Sequence, residues 1–219
     1  IAHYYNTTPK AKRKTTAPQQ FSFTLNTKES PLFAQLLPDV KELAPIQFSG
    51  RYNSVNDSIA ITGKMPKLVY GNQTITNADL TISTNDNALN YSITIDDIQN
   101  PQMQLPFTLL SGKVANNQID YTLQLKDNKD KERYFLAGNV KTSQGNTLLH
   151  LDKNALLNYE NWQIPENNQI VSTPKGLIIS DFKLEHEGRS ISVQSQTPNA
   201  NAPIALAFEN FDIQTLSSM

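Results

Sequence analysis

The sequence predicts an all-β protein, a curved antiparallel sheet with one short amphipathic helix near residues 31–43. Three observations carry this. Apolar residues alternate with polar ones in segment after segment, and period two is the signature of a half-buried strand. Clusters of Asn, Asp and Gly break the segments every 8–12 residues or so, the rhythm of a meander, sandwich or barrel. Helical spacing occurs in one place only.

Bulk properties agree. The 219 residues are 38% hydrophobic and 8% aromatic, with 8 glycines, an apolar share below the usual roughly 45–50%. Sheets that keep every second residue in water have that composition. A net charge of −1 argues against a nucleic-acid or anionic-membrane partner held by charge. With no cysteine, disulfides and thiolate metal sites are excluded and the redox compartment is left open. The chain starts at Ile1 and carries no signal peptide or spanning run, so a piece of a longer protein is expected.

Taken in order, residues 1–20 are polar, hold Pro9 and Pro18, and read as a flexible linker. The basic run Lys10-Ala11-Lys12-Arg13-Lys14 belongs to that linker. Phe21-Ser22-Phe23-Thr24-Leu25 alternates as a strand. Ser30 can then cap a helix with Pro31 in its first turn, and Leu32, Phe33, Leu36 and Leu37 form one stripe. Asp39, Val40 and Leu43 could add a second turn before Pro45 stops it. So short a helix must rest its stripe on something apolar.

From Gln47 onward the chain is strand and turn. Alternating apolar positions are Ile59 and Ile61; Leu80 and Ile82; Leu89, Tyr91, Ile93 and Ile95; Met103, Leu105, Phe107 and Leu109; and Ile119, Tyr121, Leu123 and Leu125. Leu149 and Leu151, Leu177 and Ile179, Ile191 and Val193, and Ile204, Leu206 and Phe208 continue the pattern. Turns are expected at Asn56-Asp57, Asn72, Asn85-Asp86-Asn87, Asn116-Asn117, residues 127–130, Gly145-Asn146 and Glu187-Gly188. The alternation slips by one residue at Asp96-Asp97, Ser180-Asp181 and Glu209-Asn210. A bulge at each would absorb the slip and bend the strand.

Residues suited to chemistry do not converge. His3, His150 and His186 sit in unrelated contexts, and His150 alternates with Leu149 and Leu151, which places it on a polar face. No nucleophile elbow, phosphate loop, dinucleotide fingerprint or HExxH is present. The run 127–131 lacks the glycine and distal glutamate of a calcium loop and carries Lys129 and Lys131, so it reads as a hairpin tip. Asp96 and Asp97, adjacent on a strand, would face opposite ways, poor geometry for acid/base work. Trp162, near Tyr159, could stack a sugar but reads better as a packing anchor. No catalytic residue, metal site or cofactor is expected.

One stretch carries a family likeness. Leu157-Asn-Tyr-Glu-Asn-Trp162, Asn168-Gln-Ile170, Gly176-Leu-Ile-Ile-Ser-Asp-Phe182, Ser190-Ile-Ser-Val193, Pro203-Ile204 and Phe208-Glu-Asn-Phe211, in that order, resemble a recurrent unit of TamB proteins of Bacteroidetes-type bacteria. Pro31-Leu-Phe33, Leu37-Pro-Asp39 and Phe48-Ser-Gly-Arg-Tyr52 are similar to the short-helix-then-strand lead-in of those proteins. These translocation-and-assembly-module proteins are related to the AsmA-like group. The resemblance implies an elongated β-groove, or β-taco, within a cell-envelope protein anchored in the inner membrane and crossing the periplasm. It further implies lipid transport towards the outer membrane, outer-membrane biogenesis, and a barrel partner of the TamA or Omp85 type. On that reading residues 21–142 form one groove segment with the helix in its lead, and 143–216 a second, TamB-like repeat unit.

The expected groove lining is Ile59, Ile61, Leu80, Ile82, Tyr91, Ile93, Ile95, Leu105, Phe107, Leu109, Tyr121, Leu123, Leu125, Leu149, Leu151, Leu177, Ile179, Ile191, Val193, Leu206 and Phe208. About fifteen strands at roughly 4.8 Å each would give a ladder of about 70 Å. The competing expectations are a closed β-sandwich that binds glycans or acts in adhesion, with its apolar faces meeting each other, and a spacer without cargo.

Overall fold

The computed structural model describes residues 4–5, 17–28, 36–85 and 87–211. Strands take 70% of the described residues and helix 1%, and the fold is all-β. The strands are β1 (Gln20–Asn26), β2 (Val40–Leu43), β3 (Gln47–Asn53), β4 (Ser58–Tyr70), β5 (Gln73–Asn85), β6 (Ala88–Asn100), β7 (Met103–Leu105), β8 (Phe107–Ala115) and β9 (Gln118–Lys126). They continue with β10 (Glu132–Ser143), β11 (Asn146–Leu151), β12 (Asn154–Leu157), β13 (Glu160–Gln163), β14 (Gln169–Thr173), β15 (Gly176–Ser180), β16 (Phe182–His186), β17 (Arg189–Ser195) and β18 (Ile204–Glu209). Two compact units emerge. One comprises Lys12–Lys113 and Leu123–Glu132; the other comprises Ile1–Ala11, Val114–Thr122 and Arg133–Met219.

The turns form where the sequence places them, by left-handed backbone. Asp57, Gly71, Asn87, Asn116, Asn117, Asp130, Gly145, Glu187 and Gly188 all have positive φ. Asn, Asp and Gly tolerate that region best. Asn116 and Asn117 take it consecutively (φ 53° and 60°), as a two-residue hairpin of the primed type requires.

In the first unit β4, β5 and β6, of 13 residues each, form an antiparallel meander, with β1 added through β3. The expected second helical turn at residues 39–43 is instead strand β2. Val40, Glu42 and Leu43 pair with Tyr70, Val69 and Leu68. The physical reason is that β3 covers only Ser58–Lys64 of β4, leaving the far half of that long strand without a partner on this side. Pro38 lies in a turn before it, and a Glu42–Lys67 ion pair at 2.8 Å bridges the two strands. Of the remaining helix expectation, residues 31–35 lie outside the described residues, and Leu36 alone is helical.

The slip expected at Asp96-Asp97 is real but is not a one-strand bulge. Met65 pairs with Ala78 and Lys67 with Thr76, while Ala78 pairs with Ile95 and Thr76 with Asp97. Pro66, Asn77 and Asp96 therefore stand in one row, and the register is the same on both sides of it. All three strands slip together. Pro66 has no N–H to give the ladder, Asn77 turns to φ 50°, and its Nδ2 donates to Asp96 Oδ2 at 3.0 Å. Because the neighbours slip in step, no strand carries an extra residue, and apolar rows resume beyond the row as Leu43–Leu68–Ile75–Ile98–Leu105.

In the second unit the strands after β10 are short, and β10 changes partner along its length. The N-terminal part of β10 pairs with β12 and its C-terminal part with β11. β11 and β14 pair, as do β12 and β13, β14 and β15, β13 and β16, β16 and β17, and β17 and β18. The slip at Ser180-Asp181 is the break between β15 and β16, with Asp181 at φ 51°; the slip at Glu209-Asn210 ends β18, with Asn210 at φ 55°. Tyr4, in the stretch expected to be a flexible linker, is buried, and its carbonyl accepts from Asn117 N. The Tyr5 hydroxyl bonds Thr142 Oγ1.

Candidate apolar binding face

Period two sends alternate side chains to opposite faces, and the pairing of the first unit aligns them into continuous rows. One row is Phe23–Gly50–Ile61–Ile82–Tyr91 across β1, β3, β4, β5 and β6. The next is Leu25–Phe48–Gly63–Leu80–Ile93. Phe21–Tyr52–Ile59 and Met65–Ala78–Ile95 flank them. The intervening positions give polar rows, Thr24–Ser49–Thr62–Thr81–Ser92 and Gln47–Lys64–Asp79–Thr94. Ser49 and Thr62 share a hydroxyl hydrogen bond of 2.8 Å, and Lys64 meets Asp79 at 3.8 Å. One face is a polar ladder and the other an apolar sheet surface five strands wide.

Two glycines shape that surface. A methyl group on Gly50 would lie 2.4 Å from Cε1 of Phe23, and one on Gly63 would lie 2.4 Å from Cε1 of Phe48. Each phenyl ring lies over the glycine it pairs with, which covers backbone and keeps the surface low. Sequence reading missed this pairing, although Phe and Gly in neighbouring strands were the signal. The apolar face is not closed into a core. Among the described residues of this unit, the buried hydrophobic side chains are Val40, Ala88 and Leu89. Ile59, Ile61, Leu80, Ile82, Tyr91, Ile93 and Ile95 are half-buried. At the β1 edge exposure rises to 41% for Phe23 and 53% for Leu25.

The structure divides the expected lining residues. Those just named share this face. Leu105 is opposite Ile98. Phe107 lies under Lys126 Nζ, 5.1 Å from its ring centre, and Leu109, Leu123 and Leu125 are half-buried. In the second unit Leu149 is in a row with Val140, Ile170 and Ile179, of which Ile179 is buried. Leu151 is buried, and Tyr121 and Ile191 pack against the same core. Val193 pairs with Phe182 and with Leu206. Leu177, Leu206 and Phe208 are exposed.

That core surrounds Trp162, which is 0% exposed. Ala155 stands opposite it across the β12–β13 pair. The Phe211 ring stacks on it at 6.0 Å, and the His186 ring lies at 5.4 Å. Arg189 sits over the indole at 5.7 Å and donates to both oxygens of Glu160 at 3.0 Å. A side chain so enclosed cannot stack a sugar; it is an anchor.

Asn168, also 0% exposed, is the second anchor. Its Oδ1 accepts from Leu151 N (2.9 Å), and its Nδ2 donates to Leu151 O (2.8 Å) and Pro165 O (2.6 Å). The side-chain amide takes the place of a strand residue at the break between β13 and β14.

The polar groups are committed elsewhere. His150 is not simply solvated, since its Nδ1 bonds Asn168 O at 2.9 Å, and His186 Nδ1 bonds Asn161 O at 2.8 Å. His3 lies outside the described residues. Asp96 accepts from Asn77, and Asp97 from Gln104 Nε2 at 3.1 Å, so the two carboxylates serve different partners. Asp127 Oδ1 accepts from the N–H groups of Lys129 and Lys131 and ties the hairpin tip. The Glu185 carboxylate, through a hydrogen bond and its charge, holds the Lys183 ammonium above its ordinary range. Among the described residues no group of three His, Asp or Glu could hold a metal ion. No helix among them is long and apolar enough to cross a membrane. No protein family, curated protein or solved structure matches the chain.

Proposed function

We propose that this chain is a non-catalytic segment of a cell-envelope protein that guides the acyl chains of phospholipids along an apolar β surface. The observation that carries the reading is the half-exposed apolar face of β1, β3, β4, β5 and β6, set against a polar face on the same strands. At about 0.8 kcal/mol per CH₂, a tail of some 15 methylenes left in water would cost on the order of 12 kcal/mol. Guidance therefore needs an uninterrupted apolar path. The rows run across the strands at roughly 4.8 Å per strand, so five strands offer a path of about 20 Å. The resemblance to TamB-type sequences supports a periplasmic location between inner and outer membrane. It also supports action with an Omp85-type barrel, such as a TamA-like partner, through a longer protein.

Native mass spectrometry and lipid extraction of the purified chain test this directly. Co-purifying phospholipid that leaves on delipidation and rebinds is expected; a chain that never holds lipid at any loading would sink the proposal. The closed packing about Trp162 favours a second reading, a binding module of glycans or surfaces whose apolar residues only hold the fold. That reading predicts little uptake of a hydrophobic dye, whereas the open face predicts much.

A further inference from the structure

We infer that His186 is a proton-operated clasp, whose imidazolium ties Glu160 of the β12–β13 hairpin to Glu187 in the turn between β16 and β17. This does not rest on the lipid reading. β13 pairs with β16 at Gln163 and Glu185, and one step along that register Trp162 stands across from His186. The imidazole carries the link onward, its Nδ1 bonding the Asn161 carbonyl at 2.8 Å. A carbonyl only accepts, so Nδ1 holds a hydrogen and the lone pair of the neutral ring is on Nε2.

That nitrogen faces two carboxylates. Oε2 of Glu187 is 3.6 Å away and Oε2 of Glu160 is 3.8 Å away, and a lone pair has nothing to offer either. A proton on Nε2 turns the same contacts into a charge-assisted donation shared between them. β13 brings Glu160, the turn brings Glu187, and β17 brings Arg189, which donates to both oxygens of Glu160 at 3.0 Å. Two carboxylates against one guanidinium leave a negative charge over, which the imidazolium cancels. Lys183 and Glu185 lie on the opposite face of β16 and pair with each other at 2.6 Å, with Glu209 3.9 Å from the same ammonium. The Trp162 ring beside His186, and the Phe211 ring stacked on it, carry no charge. Glu187 and Gly188 form the left-handed tip of the β16–β17 hairpin, at φ 46° and 80°. The closed clasp holds this tip against β13, beside the core around Trp162.

Trp162 is the only tryptophan, and its ring centre is 5.4 Å from that of His186. Its emission therefore reads the proton, because an imidazolium quenches a neighbouring indole more than a neutral imidazole does. Between about pH 5 and 8, where histidine side chains change charge, the intact chain is expected to show a one-proton step in Trp162 emission, dimmer on the acid side. E187Q alters a side chain that is 80% exposed and so keeps the fold. It is expected to move the midpoint to lower pH by a few tenths of a unit, the weight of a partly exposed ion pair. H186Q is expected to abolish the step, and H150Q to leave it. The NMR shift of the His186 ring, followed in the intact chain and in E187Q, gives the same midpoints should H186Q fail to fold. Emission that is flat across the range overturns the inference. So does a step that survives H186Q or is lost in H150Q, or a midpoint that E187Q leaves in place.

Discussion

Replacing Asn168 by alanine tests how the second unit holds together. The side chain is fully buried and satisfies three backbone groups, the N–H and C=O of Leu151 and the C=O of Pro165. Alanine removes all three bonds; the N–H and C=O of Leu151 stay buried without these partners, while Pro165 O loses one of two donors and keeps the N–H of residue 168. Each buried group left unpaired costs about 1–3 kcal/mol, and a water entering the vacated space keeps each near the lower end. The expected loss is about 3 kcal/mol, against a typical total of roughly 5–15 kcal/mol. Urea unfolding followed by Trp162 fluorescence is the assay, because the single tryptophan lies in the neighbouring core. With a slope near 2 kcal/mol per molar, the midpoint should fall by about 1.5 M. N168D should be worse at neutral pH, since a carboxylate can only accept and would face two carbonyls. It should recover part of the loss as the solution is acidified and the carboxyl regains a proton to donate. A shift below about 0.5 M for N168A, with Trp162 emission still that of a buried indole, would refute the role given to Asn168.

Further expectations concern packing and the apolar face. G138A should cost about 3 kcal/mol, because its methyl would meet the His150 carbonyl at 2.2 Å and backbone cannot step aside. G63A should cost about 1 kcal/mol, because the Phe48 ring can turn away; thermal unfolding of the two variants compares them. R189K keeps the charge but loses the two-pronged bond to a half-exposed Glu160 and the cover over Trp162. It should lower stability by about 1 kcal/mol and change Trp162 fluorescence. L25D, on the apolar face where exposure tolerates it, should reduce lipid bound per chain several-fold; T24D, on the polar face of the same strand, should leave it unchanged. Quantitative lipid extraction of both distinguishes a face-specific site from general stickiness.

What the sequence determined by itself is the local backbone. Period two made strands wherever apolar residues alternated, and each expected turn holds a left-handed residue or, at Asn72, adjoins one in Gly71, since Asn, Asp and Gly take that conformation at small cost. The three slips were legible for the same reason. Tertiary structure decided whatever depends on neighbours. Residues 40–43 became a strand because half of β4 needed a partner, which no local spacing reveals. The slip at Asp96 kept register because Pro66 and Asn77 slip beside it. Leu80 and Leu151 alternate alike in sequence, yet Leu80 lies on an open face and Leu151 is sealed beneath Trp162. Burial belongs to the layer that covers a strand, and a strand's own pattern states only which side wants covering.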